Sequence, residues 1–178
     1  MRFLETGLAD AFLIDLDLAS DERGFFARSF CEREFESRGL ASRFVQCNVS
    51  FNHQEGTIRG MHWQAAPNAE AKLVRCTSGA IFDVIVDLRR DSKTRKKVFG
   101  TELSSQNRRM LFIPAGFAHG FQSLCDDSEV FYQMSEFYAP EAAHGFRWND
   151  PDVGIRWPRE LSVISDHDRS LPLLSEVE

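Results

Sequence analysis

Few side chains in this chain are suited to moving protons, and those few stand on apolar, strand-like backgrounds. In GTIRGMHWQ, residues 56–64, His62 is followed by Trp63 and Gln64, with Arg59 upstream and glycines at 56 and 60. Three roles are open to His62: packed core residue, metal ligand or proton base. A metal pair on one strand face would set it beside Gln64, and a neutral amide is a poor ligand for a transition metal. On that ground no protein-bound metal is expected. Lys72 is the only lysine outside the segment Arg89 to Lys97. It shares a strand face with Val74 and Cys76, where an unpaired ammonium is costly, so it is either a functional cation or an edge-strand lysine that snorkels to water. Tyr132 and Tyr138 are the only tyrosines. A two-residue period puts both on one side, as rim-packed aromatics or as phenols facing a site. Were His, Lys and Tyr to converge, they would supply a base, a cation for a developing oxyanion and a proton donor.

Such groups need rigid elements to hold them, and the chain reads as a series of short strands. In AIFDVIVDL, residues 80–88, Phe82, Val84, Val86 and Leu88 share one face while Asp83 and Asp87 share the other. That is the strand period. KLVRC repeats it with Lys72, Val74 and Cys76, and EVFYQMSEFY with Val130, Tyr132, Met134 and Tyr138. Ser78-Gly79, Gly100, Pro114-Ala115-Gly116 and Pro140 punctuate the runs as turns. Many short strands at near-regular spacing predict a sandwich or barrel. Helix is expected only in CEREFESRGL, ended by Gly39, and in a turn or two after Leu161.

Composition narrows the partners. A chain of 178 residues fits one domain spanning residues 1–178 and can bury a core without disulfides or metal. The 16 phenylalanines suit pleated, half-buried surfaces and so favour an all-β fold. A net charge of -6 gives no general attraction to phosphate backbones, so nucleic acid is not an expected partner. The basic run RRDSKTRKK, residues 89–97, lies between apolar segments and reads as a solvated hairpin loop. Cys31, Cys47, Cys76 and Cys125 form no CxxC pair and are expected to be reduced. The acidic residues in the N-terminal apolar stretch and the lack of a long uncharged span lead to a cytoplasmic protein with no membrane partner.

Taken in order, DERGFFARSF, QCNVSFN, GTIRGMHWQ, AKLVRCTSGAIFDVIVDLR, FIPAGFAHGFQSL, FYQMSEFYAPE, GFRWNDPDVGIRWP and ISDHDRSLPL resemble the dTDP-4-dehydrorhamnose 3,5-epimerase family over nearly the whole chain. Any one motif is weak, and the ordered set is specific. The resemblance implies an all-β, cupin-type jelly roll with a few short helices. It also implies a cofactor-independent isomerase that inverts C3 and/or C5 of a nucleotide-linked 4-keto-6-deoxyhexose. By this likeness His62 is the base, Asp168 its orienting carboxylate with Asp83 in reserve, Tyr132 the acid on the opposite face and Lys72 the cation at the carbonyl oxygen. Arg23, Phe26, Arg28, Gln46, Asn48, Arg59, His119 and Tyr138 fall at substrate-binding positions. No cofactor is implied, and the sequence has no phosphate-loop or dinucleotide glycine pattern. A homodimer is implied too, with AFLIDLDL, residues 11–18, as the segment lent to a partner.

Three positions depart from the family pattern. Arg28 stands where a glutamate is usual; a carboxylate can accept the N3–H of thymine, whereas an arginine only donates, which opens a CDP-linked substrate as an alternative. His167 stands in place of a lysine, and Trp63 in place of a tyrosine. A single-centre epimerase, a ketoisomerase and a non-catalytic sugar-nucleotide-binding cupin are the other readings. Arg59 and His62 are an odd number of residues apart, so serving one site requires a bulge or twist at Gly60.

Overall fold

Residues 1–177 are described by a computed structural model. Its strands are β1 (Arg2–Glu5), β2 (Phe12–Asp15), β3 (Ala19–Asp21), β4 (Gly24–Phe26), β5 (Gln46–Asn52), β6 (Ile58–Gln64), β7 (Lys72–Ser78), β8 (Ala80–Asp87), β9 (Val98–Ser104), β10 (Met110–Ile113), β11 (Phe117–Ser123), β12 (Ser128–Met134) and β13 (Ala143–Gly145). Helices α1 (Glu32–Glu36) and α2 (Asp166–Ser170) are single short pieces, and among the described residues no helix is long and apolar enough to cross a membrane.

The central strands pair as nested antiparallel couples: β8 with β9, β7 with β10, β6 with β11 and β5 with β12. One long hairpin has therefore rolled up, its strands distributed between a six-stranded sheet ordered β1-β2-β10-β7-β12-β5 and a five-stranded sheet ordered β13-β6-β11-β8-β9. This is the cupin-type jelly roll that the family resemblance implies, and it satisfies the sandwich read from the strand pattern.

Both faces of β8 are buried, which is why its apolar pattern is nearly continuous. The Asp83 face, not the Phe82 face, is turned between the sheets: Ile81 and Ile85 join Val74, Cys76, Val130, Phe117 and Phe121 in the inter-sheet core. Val84 and Val86 pack on the other side with Met61, Ala118 and Phe146. Along β7 and β12 the inner face runs from Cys76 and Val130 through Val74 and Tyr132 to Lys72 and Met134, each pair in register. The core thus gives way to polar side chains at one end of the sandwich.

Elements outside the rolled hairpin follow local rules. Gly39 takes φ of 69° after α1, and two reversed hydrogen bonds, Leu40 N to Phe35 O at 3.1 Å and Gly39 N to Glu36 O at 2.9 Å, close the helix in a Schellman motif. Phe35 is fixed beneath Phe3, Phe30, Phe44 and Phe112. One expectation needs a different reason and another needs correction. Tyr138 lies four residues past the end of β12, so strand parity does not place it. The AFLIDLDL segment is not free to be lent either: β2 is paired on both edges within its own chain, to β1 and to β10. The β3–β4 hairpin, a two-stranded sheet by itself, is the free element instead.

The basic run does form the β8–β9 loop, and it is organised around one buried carboxylate. Asp87 is fully buried, and it accepts from Arg89 Nε at 3.0 Å, Ser92 Oγ at 2.5 Å and Thr94 Oγ1 at 2.7 Å. Burial pushes this carboxyl up, and the hydrogen bonds from Arg89, Ser92 and Thr94 outweigh it, leaving it below the ordinary aspartate range. Asp87→Ala strands these donors and should cost roughly 3 kcal/mol, measured by urea unfolding. Because the folded pKa is depressed, the stabilisation is complete above the unfolded value near ~4 and is lost as pH falls through the folded one. The stability gap between wild type and Asp87→Asn should therefore narrow below about pH 4.

Candidate active site

The polar end of the sandwich opens into a cavity of about 450 Å³ whose walls include His62, Lys72, Tyr132, Asn48, Tyr138 and His167. Facing strands supply it. His62 comes from β6 in the five-stranded sheet; Lys72, Tyr132 and Asn48 come from β7, β12 and β5 in the six-stranded sheet.

Gly60 sets the aim of His62. His119 pairs with His62 and Phe121 with Arg59, so two steps along β11 match three along β6. The extra residue is the expected bulge. Gly60 has φ of 117°, and a Cβ there would stand 2.6 Å from Gly120 Cα and 2.8 Å from His119 O. No other residue fits the crossing. With the bulge in place Arg59 and His62 reach the same side, while Met61 between them is buried outside the sandwich.

The His62 ring is held from behind. Its Nε2 meets Asp168 Oδ1 at 2.8 Å, and Asp168 Oδ2 accepts from Gly60 N at 3.0 Å. Asp168 is presented by α2, whose N-cap Ser165 accepts from Asp168 N at 3.0 Å through Oγ. The Asp168 side chain is only 6% exposed whereas that of His62 is 42% exposed. Burial pushes the Asp168 carboxyl up, and the His62 contact with the Gly60 hydrogen bond more than offsets it, so its pKa lies below the ordinary range and it stays ionised. An ionised acceptor at Nε2 fixes the proton there and leaves the Nδ1 lone pair for other work.

Lys72 is buried and its Nζ is 3.0 Å from Glu70 Oε1, a partner two residues upstream, just before β7 begins. Tyr132 pairs with Asn48 across the sheet. Burial raises the pKa of its phenol, with Glu70 adding and the Arg59 charge subtracting, so it remains protonated at neutral pH. Asp83, the reserve partner for His62, is committed elsewhere: its Oδ1 is 2.6 Å from His119 Nε2, both groups buried. His119 lies opposite His62 in register but does not line the cavity. Gln46 lies beside the cavity, donating to Asn48 Oδ1 at 3.4 Å and accepting from Tyr138 N at 3.2 Å. Arg59 donates to Asn52 Oδ1 at 2.8 Å and to Phe51 O at 3.1 Å.

Three of the expected substrate-binding residues lie away from this cavity. Arg23 and Phe26 are on the β3–β4 hairpin, Arg23 bound to Asp21 and Phe26 79% exposed; Arg28 just beyond is 3.3 Å from Glu34 Oε1. Sequence reasoning also missed contributors. Gln64, read only as a failed metal ligand, donates to Asn68 O at 2.9 Å and Phe137 O at 3.2 Å and accepts from Ala139 N at 2.7 Å, pinning the Tyr138 segment to β6. His144 stacks on Trp63 at 5.6 Å and lines the cavity, a pairing that follows from β13 adding beside β6.

Comparison with known proteins gives this geometry a family. The family model described as dTDP-4-dehydrorhamnose 3,5-epimerase matches residues 5–176. A dTDP-4-dehydrorhamnose 3,5-epimerase of Methanothermobacter thermautotrophicus is 46% identical over 178 residues, covering 98% of this chain and 95% of its own. The crystal structure of the Bacillus anthracis dTDP-4-dehydrorhamnose 3,5-epimerase with TDP and PPi bound superposes with a TM-score of 0.93 at 45% identity, covering 97% of this chain and 99% of that one. A Legionella pneumophila dTDP-6-deoxy-D-glucose-3,5-epimerase in complex with dTDP-4-keto-L-rhamnose does so at 0.92 and 36% identity, covering 99% and 94%.

Gly60 carries both the bulge and one hydrogen bond to Asp168, so Gly60→Ala should lower stability by about 2–4 kcal/mol through the backbone clash and the positive φ. It should also misplace His62. The expected outcome is a reduced urea midpoint together with an activity loss that persists at temperatures where the variant is fully folded.

Proposed function

The chain belongs to the dTDP-4-dehydrorhamnose 3,5-epimerase family, and we propose that its cavity inverts C3 and C5 of a dTDP-linked 4-keto-6-deoxyhexose by way of an enolate. The observation that carries this reading is His62 on one sheet, backed by Asp168 from α2, facing Lys72 and Tyr132 on the other sheet.

His62 takes a proton from the carbon next to the ketone with its Nδ1 lone pair. The electron pair of the broken C–H bond moves into the ring, and the negative charge gathers on the C4 oxygen. An imidazole is well matched to this step, its ordinary pKa of ~6.5 lying near working pH, and Asp168 steadies the imidazolium that forms. Lys72, already ionic against Glu70, stabilises the oxyanion more than the ketone; a donor of this type is worth on the order of 3–4 kcal/mol. Tyr132 then gives its proton to the opposite face of the enolate. Each inversion leaves a proton on His62 and takes one from Tyr132, so solvent must reset both groups. Arg59, Gln46 and Asn48 bind the substrate alongside Tyr138, and His119 with Asp83 supports the wall beneath His62.

Arg23, Phe26 and Arg28 would serve the site from a partner subunit in a homodimer. Two features support this: the free hairpin with its exposed Phe26, and the exposed outer row Cys47, Val49 and Phe51 on edge strand β5. A long apolar edge of this kind calls for a cover. Arg28 offers only donors to a base, which favours the acceptor-rich edge of cytosine as a second reading of the nucleotide.

Proton NMR in heavy water tests the chemistry with dTDP- and CDP-4-keto-6-deoxyglucose side by side. Deuterium should enter at both C3 and C5 of the dTDP sugar; uptake at one carbon would make this a single-centre epimerase, and uptake at neither a binding protein. His62→Ala should abolish exchange. Tyr132→Phe should still exchange but without inversion, and Asp168→Asn should lose ~10²–10⁴ in kcat with little change in KM. Light scattering should give twice the 20.3 kDa chain mass, and Val49→Asp should shift it to monomer with weakened substrate binding; a wild-type monomer would refute the shared site.

A further inference from the structure

We propose that His62, His167 and Asp168 form a binding site for a divalent transition-metal ion, zinc above all, and that its occupation takes the base out of action. The ion-binding part stands on geometry alone; the inhibitory part rests on the reading of His62 as the base.

One ligand atom from each of the three residues lies within 4.8 Å of the others. Legs of ~2.0–2.2 Å to nitrogen and oxygen make the edges of a tetrahedral site about 3.3 Å. His62 Nε2 and Asp168 Oδ1, now 2.8 Å apart, would open slightly as the ion replaces the proton between them. The third leg must close from the other direction, and its owner is free to do so. His167 is exposed on α2, its ring has no hydrogen-bond partner among the described residues, and it already tilts over His62 at 6.2 Å. The carboxylate needs no such movement. Asp168 Oδ2 stays on Gly60 N and its backbone N on Ser165 Oγ, the kind of outer hydrogen bonding that keeps a ligating carboxylate oriented.

Two imidazoles and one carboxylate suit Zn²⁺, Co²⁺, Ni²⁺ or Cu²⁺, and they do not suit Mg²⁺ or Ca²⁺, which take oxygen ligands. The site is also open to ions: His62 and His167 both line the cavity, so the fourth position faces solvent or substrate. The consequence for catalysis follows from the imidazole itself. Bound through Nε2, neutral His62 carries its proton on Nδ1; bound through Nδ1, it gives that lone pair to the metal. Either way no lone pair remains for a substrate proton. This site is unrelated to the His62–Gln64 strand pair, since the Gln64 amide is engaged with Asn68, Phe137 and Ala139.

The test uses the intact protein and two probes, Zn²⁺ by calorimetry and Co²⁺ by its visible absorption, both without substrate. One ion per chain should bind, with the intense visible bands of four-coordinate Co²⁺. His167→Asn should weaken Zn²⁺ binding at least ~10-fold, His53→Ala should leave it unchanged, and Mg²⁺ should not compete. Absence of saturable binding, or equal affinity in His167→Asn, would overturn the site. Zn²⁺ should then inhibit epimerisation over the same concentration range in wild type, and over a range at least ~10-fold higher in His167→Asn. Binding without inhibition of an active enzyme would overturn the inhibitory step. If ion binding depends on His167 while neither sugar exchanges protons in the absence of metal, the site stands and the epimerase reading fails.

Discussion

The structure turns on how closely two backbones pass at Gly60 and Gly120. A side chain at Gly60 would stand 2.6 Å from Gly120 Cα, and one at Gly120 would strike Arg59 O at 2.8 Å. Two glycines facing each other at the register shift let β6 and β11 approach, and the extra residue on β6 is absorbed where they meet. From that one accommodation follow the alignment of Arg59 with His62, the burial of Met61 on the far side, and a backbone N–H aimed at Asp168. The His62–Asp168 pair is therefore anchored to the sheet at both ends: His62 by its strand, Asp168 by Gly60, two residues before His62.

Polar groups inside the sandwich are tolerated because they come in pairs. His62 with Asp168, His119 with Asp83 and Lys72 with Glu70 are three ion or hydrogen-bonded couples along one end of the core. A lone member of any couple would carry a desolvation penalty that a domain of marginal stability could not absorb. Pairing also fixes orientation, since each buried carboxylate selects the ring nitrogen or ammonium geometry it faces. The same hydrogen bonds that make burial possible thus place the chemistry.

Strand identity was legible because the apolar alternation in residues 72–76 and 80–88 is set by the pleat, which is local. The nesting of strands was not, and came into view only through the family resemblance, because nothing in a strand's own residues names its neighbour. The bulge at Gly60 could be inferred from the odd spacing of Arg59 and His62 once both were assigned to one site. Glu70 and Gln64 escaped notice for a common reason: each acts from a strand end or just beyond one, where the two-residue period stops. Tyr138 does line the cavity with Tyr132, but the strand period that suggested it stops at Met134. AFLIDLDL was misjudged because its apolarity fits an inner strand as well as a shared one, and here β10 satisfies it within the chain. Arg23, Phe26 and Arg28 could not be placed from either direction, since their contacts as monomer residues are with Asp21, Glu34 and solvent.

A jelly roll is well matched to inversion for a reason that lies in its layers. An enolate is planar, and inversion requires that a proton leave one face and arrive at the other. The two sheets supply those faces, with His62 rising from the five-stranded sheet and Tyr132 from the six-stranded sheet across one cavity. Lys72 shares the second sheet with Tyr132, one residue pair further along, and in the proposed reaction that offset is what would set the cation at the edge of the enolate plane. A single sheet or a helix pair would tend to present acid and base from the same side. In the proposed reaction, turning the sugar to bring C5 instead of C3 over His62 would let one base and one acid serve both centres. That proposal puts the requirement on the walls, where Trp63 and His144 stack and, with Tyr138, line the cavity.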